Sequence, residues 1–230
     1  MATVLIDLDG TLLPLKAWNP VFAEISAIIA KRAGAAPEEV WRRVREMNLA
    51  LMRRLDWRAF DWQFLFAAAA AELGVREVPD VVEILHKHLP NFRLHDGALE
   101  ALAELRAMGC RVEIATNGHA SYQLPVIRQL GLDKLVDGVR TSDAYRCPKT
   151  CPEFFHGAQV MVGDNPVFDV YFPKRYGLRA VFLGDWGREA PEYSRRLQVP
   201  AYLTPPDEVV GALGEVPEAV KRVLGKRLNF

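Results

Sequence analysis

The chain has 230 residues, half of them hydrophobic, and 29 basic side chains balance 29 acidic ones. That composition excludes a disordered or fibrous protein and supplies enough apolar surface for one domain, with or without a large insertion. With no net charge there is no overall field to draw the chain to nucleic acid or an anionic membrane, so a phosphate it recognises is gripped locally.

In chain order, Val4-Leu5-Ile6 runs straight into Asp7. A short apolar run ended by a carboxylate and then a glycine predicts a buried strand of a parallel sheet with its polar loop at the C-terminal end, where α/β folds place ligands. From Pro14 to Pro90 the pattern changes: no strand is predicted, and helical periodicities are divided by Gly34-Ala35-Ala36-Pro37, Leu55-Asp56 and the stretch from Gly74 to Pro79. Pro37-Glu38-Glu39 has the composition of a helix start. Several of Trp57, Phe60, Trp62, Phe64 and Phe66 are expected to pack between these helices, and one or two to line a pocket.

Beyond the helical stretch, the spacing of Ala98, Leu99, Leu102 and Leu105 predicts a helix to Met108, stopped by Gly109. Further strands are predicted at Arg111–Ala115, Leu135–Val139, Gln159–Val162, Ala180–Leu183 and Ala201–Leu203, with crossover segments at Ser121–Leu130 and Pro166–Tyr176. One or two short helices and a basic tail follow Pro205-Pro206. The resulting fold class is α/β: a doubly wound, Rossmann-like parallel sheet formed by residues 1–14 and 91–230, with an all-helical cap, residues 15–90, inserted after the first strand. The cap is expected to sit over the first strand's carboxylates.

The chemistry-bearing residues fall at predicted strand ends. Asp7 and Asp9 are two apart and can point to the same side, Gly10 allows a tight turn, and Thr11 can hydrogen-bond locally. Thr116-Asn117-Gly118 offers a hydroxyl, an amide and a glycine backbone suited to phosphate oxygens, and Lys149 adds a point charge. Gly163-Asp164 and Asp169 follow another strand, and the hard oxygens of Asp7 and Asp164 suit Mg²⁺. Such a set has a nucleophile, a proton donor, a cation and oxyanion donors, which phosphoryl transfer to a carboxylate requires.

The ordered set Asp7-Leu8-Asp9-Gly10-Thr11, Thr116, Lys149 and Gly163-Asp164 to Asp169 resembles the motifs of the haloacid dehalogenase superfamily, in its phosphatase branch with a helical cap. The resemblance spans Val4 to about Asp185, with lesser echoes at Asp96-Gly97-Ala98 and Lys149-Thr150-Cys151-Pro152-Glu153-Phe154-Phe155. It implies that Asp7 attacks phosphorus while Asp9 protonates the leaving alcohol and then activates water. It implies that Thr116 and the backbone of Asn117 bind phosphoryl oxygens and that Lys149 offsets charge. Gly10, Thr11 and Gly118 belong to the same substrate-binding loops. Mg²⁺ is expected on Asp7, the Asp9 carbonyl and Asp164, with Asp169 orienting Lys149 or the metal shell. The sequence departs from the family pattern in two places: Thr150-Cys151 replaces the usual Pro-x after the lysine, and fourteen residues separate Lys149 from Asp164, too few for a full crossover helix. A turn or single helical turn is expected at Phe154-Phe155-His156.

The expected substrate is a small phosphorylated metabolite, handled by a monomer or homodimer without nucleic-acid or membrane partners. Alternatives on the same fold are a 2-haloacid dehalogenase, against which Asp9 argues, and a phosphomutase; a non-catalytic binding protein is the alternative of another class. His119 reads as polar surface. Cys147 and Cys151 read as ordinary thiols, with a disulfide between them left open, and three cysteines in all give no disulfide framework. No signal-like N-terminal segment is visible, and the longest apolar run, Phe64 to Ala71, falls short of the ~20 residues of a membrane span. A cytoplasmic location is the corresponding expectation.

Overall fold

The computed structural model describes residues 1–225; the basic tail expected at the C-terminus begins at Lys226, outside the described residues. Among these, six parallel strands form one sheet: β1 (Thr3–Ile6), β2 (Arg111–Thr116), β3 (Gly138–Thr141), β4 (Val160–Gly163), β5 (Arg179–Leu183) and β6 (Glu208–Val210). Their spatial order is β3-β2-β1-β4-β5-β6. Val4, Leu5 and Ile6 are wholly buried, as a central strand covered on both faces must be. Ile6 lies opposite Ile114 on one side and Val162 on the other. That register delivers Asp7, Thr116 and Asp164 to the same edge of the sheet, at the point where the strand order reverses.

Between β1 and β2 stand α1 (Asn19–Ala33), α2 (Pro37–Arg53), α3 (Trp62–Glu72) and α4 (Val81–His88), and no strand. The predicted breaks hold. Gly34 takes the left-handed conformation that ends α1, and Pro37 opens α2 with two acids in its first turn. Asp61 and Asp80 cap α3 and α4 by accepting backbone N–H bonds. Phe22 packs 4.3 Å from Trp62 and 5.2 Å from Trp41 between ring centroids, and Phe66 joins the same cluster. Phe60 instead turns toward the sheet and meets Phe168 edge-on, while Phe64 is exposed.

After these helices come α5 (Ala98–Ala107) and α6 (Ala120–Gln129), then, past β5, α7 (Trp186–Leu197), and finally α8 (Val216–Gly225). Three expectations need correction. Ala201–Leu203 is a 3₁₀ turn, and the edge strand is β6, beyond Pro205-Pro206, where a helix was expected. The third strand starts at Gly138 rather than Leu135, because Leu132–Lys134 is already a 3₁₀ turn that ends at Leu135. The segment expected as one crossover at Pro166–Tyr176 begins as a wide π turn, Pro166–Tyr171, capped by the Asn165 side chain, and continues as a single α turn. The short link from Lys149 to β4 holds one helical turn, Pro152–Phe155, whose two phenylalanines are buried.

Candidate active site

Asp7 leaves β1 buried, with its backbone N–H bonded to the carbonyl of Val162. Its Oδ1 accepts from Lys149 Nζ at 2.5 Å, and the same ammonium donates to Asp169 Oδ1 at 2.6 Å and to the carbonyl of Ala115 at 3.1 Å. Lys149 is 2% exposed. Burial alone would lower its pKa, but the charges of Asp169 and Asp7 outweigh that and hold it above the usual lysine range. The shortened segment therefore does not keep Lys149 from the site. Its loop is drawn in by Asn117, whose Oδ1 accepts the Lys149 backbone N–H at 2.7 Å, while Ser142 Oγ donates to the Asn117 carbonyl.

Asp9 is held on both carboxylate oxygens. Trp18 Nε1 donates to Oδ1 and Gln123 Nε2 to Oδ2, each at 2.6 Å. Enclosure and then the charge of Asp7 raise the Asp9 pKa to about 6, against the opposing pull of these two donors. A carboxyl so placed can give and take a proton near neutrality. Each oxygen keeps a second acceptor position where a proton can sit, and the side chain is not part of the carboxylate group Asp7, Asp164 and Asp169, which leaves the backbone carbonyl as what Asp9 could offer a metal. Neither Trp18 nor Gln123 was singled out from the sequence. Gln123 is a polar side chain, 2% exposed, on the helix face that also buries Val126 and Ile127.

Thr116 is buried at the end of β2, and its Oγ1 accepts the Gly118 N–H. Thr116, Asn117 and Gly118 line a cavity of about 410 Å³ that also contains Asp7, Asp9, Lys149, Asp164 and Asp169. Gly10 and Thr11 stand behind it. Gly10 adopts φ +102°, and a side chain there would fall on the Asp164 carboxylate; Thr11 is buried and its hydroxyl donates to Asp164 Oδ1 at 3.3 Å. Both shape the position of Asp164. Gly163 is needed for a similar reason, since a Cβ there would overlap the Asp169 carboxylate.

His119 is not surface: it is buried, ring-packed against Trp57 and Tyr122. Cys147 and Cys151 are joined as a disulfide that brackets Lys149, which corrects their reading as thiols. The remaining cysteine, Cys110, is buried and free.

Carboxylate oxygens of Asp7, Asp164 and Asp169 lie within 4.8 Å of one another. Asp7 Oδ2 is buried without a hydrogen-bond partner. Enclosure, then the charges of Asp7 and Asp169, raise the Asp164 pKa well above the carboxylate range. Both oxygens of Asp169 already have donors, Lys149 Nζ and the Asn165 N–H at 2.9 Å. An orphaned hard oxygen on Asp7 beside Asp164 fits a divalent cation, with Asp169 holding Lys149.

A family model described as haloacid dehalogenase-like hydrolase matches residues 1–177. No curated protein matches the sequence. Among solved structures, a HAD phosphatase from Thermococcus onnurineus is 24% identical over 98% of each chain, with a TM-score of 0.75. L-2-haloacid dehalogenase from Xanthobacter autotrophicus, with chloropropionic acid covalently bound, is 20% identical over 96% of this chain and 99% of its own, at TM-score 0.61. The HAD-hydrolase YfnB from Bacillus subtilis, bound to magnesium, is 18% identical over 96% and 98%, at 0.64. At these identities the likeness shows the fold.

Proposed function

The chain belongs to the haloacid dehalogenase-like hydrolases, and from that premise we propose that it is a phosphatase of small phosphomonoesters. Asp7 is the nucleophile, Asp9 the proton donor and then the base, and residues 15–90 form a cap over them. The observation that carries this reading is the unpartnered Asp7 Oδ2 beside Asp164: a cation position next to the nucleophile serves an anionic phosphoryl group. Displacement of halide from carbon needs neither that cation nor an acid at Asp9. The phosphatase and the dehalogenases of the same fold leave both chemistries open on fold alone.

Asp7, Asp164 and the Asp9 carbonyl would hold Mg²⁺, which when bound supplies charge neutralisation for the incoming phosphate. Lys149 screens Asp7 from the substrate's charge, and the hydroxyl of Thr116 with the backbone N–H of Asn117 receives the phosphoryl oxygens, while the Gly118 N–H holds the Thr116 oxygen in place. Asp9, fixed by Trp18 and Gln123, protonates the leaving oxygen. With that proton gone, its carboxylate takes one from the water that opens the aspartyl-phosphate.

The test is a panel of phosphorylated metabolites and 2-haloacids assayed with and without Mg²⁺. Hydrolysis of phosphoesters that requires the metal is expected, and Asp9→Asn is expected to lower it by about 10²- to 10⁴-fold. Release of halide with no phosphoester turnover would overturn the reading. Independently of activity, Mg²⁺ at about 100 times its Kd should add about 2.7 kcal/mol to unfolding stability. Asp164→Asn should remove most of that gain; a metal-induced rise in Tm that survives the substitution would put the ion elsewhere.

A further inference from the structure

The cavity over Asp7 has two chemically different ends. At the floor the charges are matched or await a cation. At the mouth stand Arg45 on α2, Arg196 on α7 and Lys16 just before α1, and among the described residues none of these side chains has an ion-pair partner. No acid other than Asp7, Asp9, Asp164 and Asp169 lines the cavity. The end of α7 is tied to α2 by a specific contact: Arg53 Nε, also on α2, donates at 2.9 Å to the carbonyl of Arg196. The Arg45 guanidinium lies 5.8 Å from the centroid of the Trp41 ring, which also faces the cavity. Enclosure and then the charge of Arg196 lower the Arg45 pKa, so the two cations sense each other.

Guanidiniums that repel one another at the mouth of a cavity, with no protein carboxylate between them, form a receptor for an anion. The phosphoryl group being transferred is not that anion, because it must sit on Asp7 at the floor. A cavity of about 410 Å³ has room for a small organic leaving group between the two ends. Trp41, Trp62 and Phe60 line that interval with ring surface.

On the phosphatase reading above, we propose that Arg45 and Arg196 bind a second anionic group, carboxylate or phosphate, carried by the leaving alcohol. The preferred substrates are then phosphomonoesters of short hydroxy acids or bisphosphates, not phosphates of neutral alcohols. Binding energy at the mouth fixes the ester oxygen against Asp9 and the phosphorus against Asp7.

Three esters on one three-carbon chain separate the cases: propyl phosphate, 3-phosphonooxypropanoate and propane-1,3-diyl bisphosphate, assayed with Mg²⁺. Wild-type kcat/KM is expected to be about 10- to 100-fold higher for at least one of the two esters with an anionic leaving group than for propyl phosphate. Which of the two gains identifies the anion. In Arg45→Met and Arg196→Met that ratio is expected to collapse toward one, with Tm checked for each; Arg45 is exposed, so its substitution spares the core. Turnover of all three esters at equal kcat/KM overturns the second subsite and leaves the phosphatase reading standing, as does a ratio that neither variant changes. Failure to hydrolyse any of the three, beside halide release, overturns both.

Discussion

Asp7→Asn is expected to abolish turnover of every phosphoester the wild-type protein accepts, by about 10⁴-fold or more, without unfolding the chain. The amide keeps the size of the carboxylate and its Oδ1 can still accept the short bond from Lys149, which retains Asp169 as its counter-charge. Packing around β1 is therefore preserved, and circular dichroism with a Tm within a few degrees of wild type is the expected control. What is lost is the nucleophile and the unpartnered oxygen offered to the cation. A rapid quench of wild-type protein during turnover should leave phosphoryl mass on the peptide that contains Asp7, and none in the variant. Appreciable residual activity, or label on another residue, would show that Asp7 is not the attacking group.

How much of this site could be read from the chain depends on the range of the interaction. β1, β4 and β5 were legible because each is largely a short apolar run that must be buried, β2 despite Arg111 and Glu113 because it follows a helix stopped by Gly109, and β1, β2 and β4 each run into a residue of the site. Asp7, Thr116 and Asp164 follow from that grammar without reference to what they touch. β6 escaped because a three-residue edge strand has little burial to write into the sequence: Val209 is half exposed, and the more apolar Ala201-Tyr202-Leu203 misled. α7 escaped because it is polar overall and carries Pro191 inside it, yet it brings Arg196 to the cavity.

The clamp on Asp9 was invisible for another reason. Gln123 reaches it across 114 positions of sequence, and Trp18 comes from the turn before α1, so neither bond has a spacing to recognise. Asn117 illustrates the same limit at shorter range. Its side chain was expected beside a phosphate, but it is spent on the backbone of Lys149, and the Gly118 N–H is spent on Thr116. The indole bonded to Asp9 stands at the start of the helical stretch between β1 and β2, so the inserted helices and the sheet are joined at that carboxylate.

Lys149→Met is expected to do more damage to stability than any other single change at the site, about 3–5 kcal/mol in denaturant unfolding, together with loss of turnover. The ammonium is the shared counter-charge of two carboxylates, Asp7 and Asp169, and Asp169 is wholly buried. Methionine fills the volume but leaves two acids facing each other in a poorly solvated pocket beside Asp164. Loss of a merely packed side chain would cost the same whatever stood at position 169; loss of a counter-charge would not. The double variant Lys149→Met with Asp169→Asn should therefore recover part of the stability lost by Lys149→Met while remaining inactive. Saturating Mg²⁺ should also narrow the gap between Lys149→Met and wild type, because the cation takes over part of the neutralisation of Asp7. A double variant no more stable than the single one would mean that the lysine acts through its packing, and that the short link from Lys149 to β4 is held by something other than the ion pair at its start.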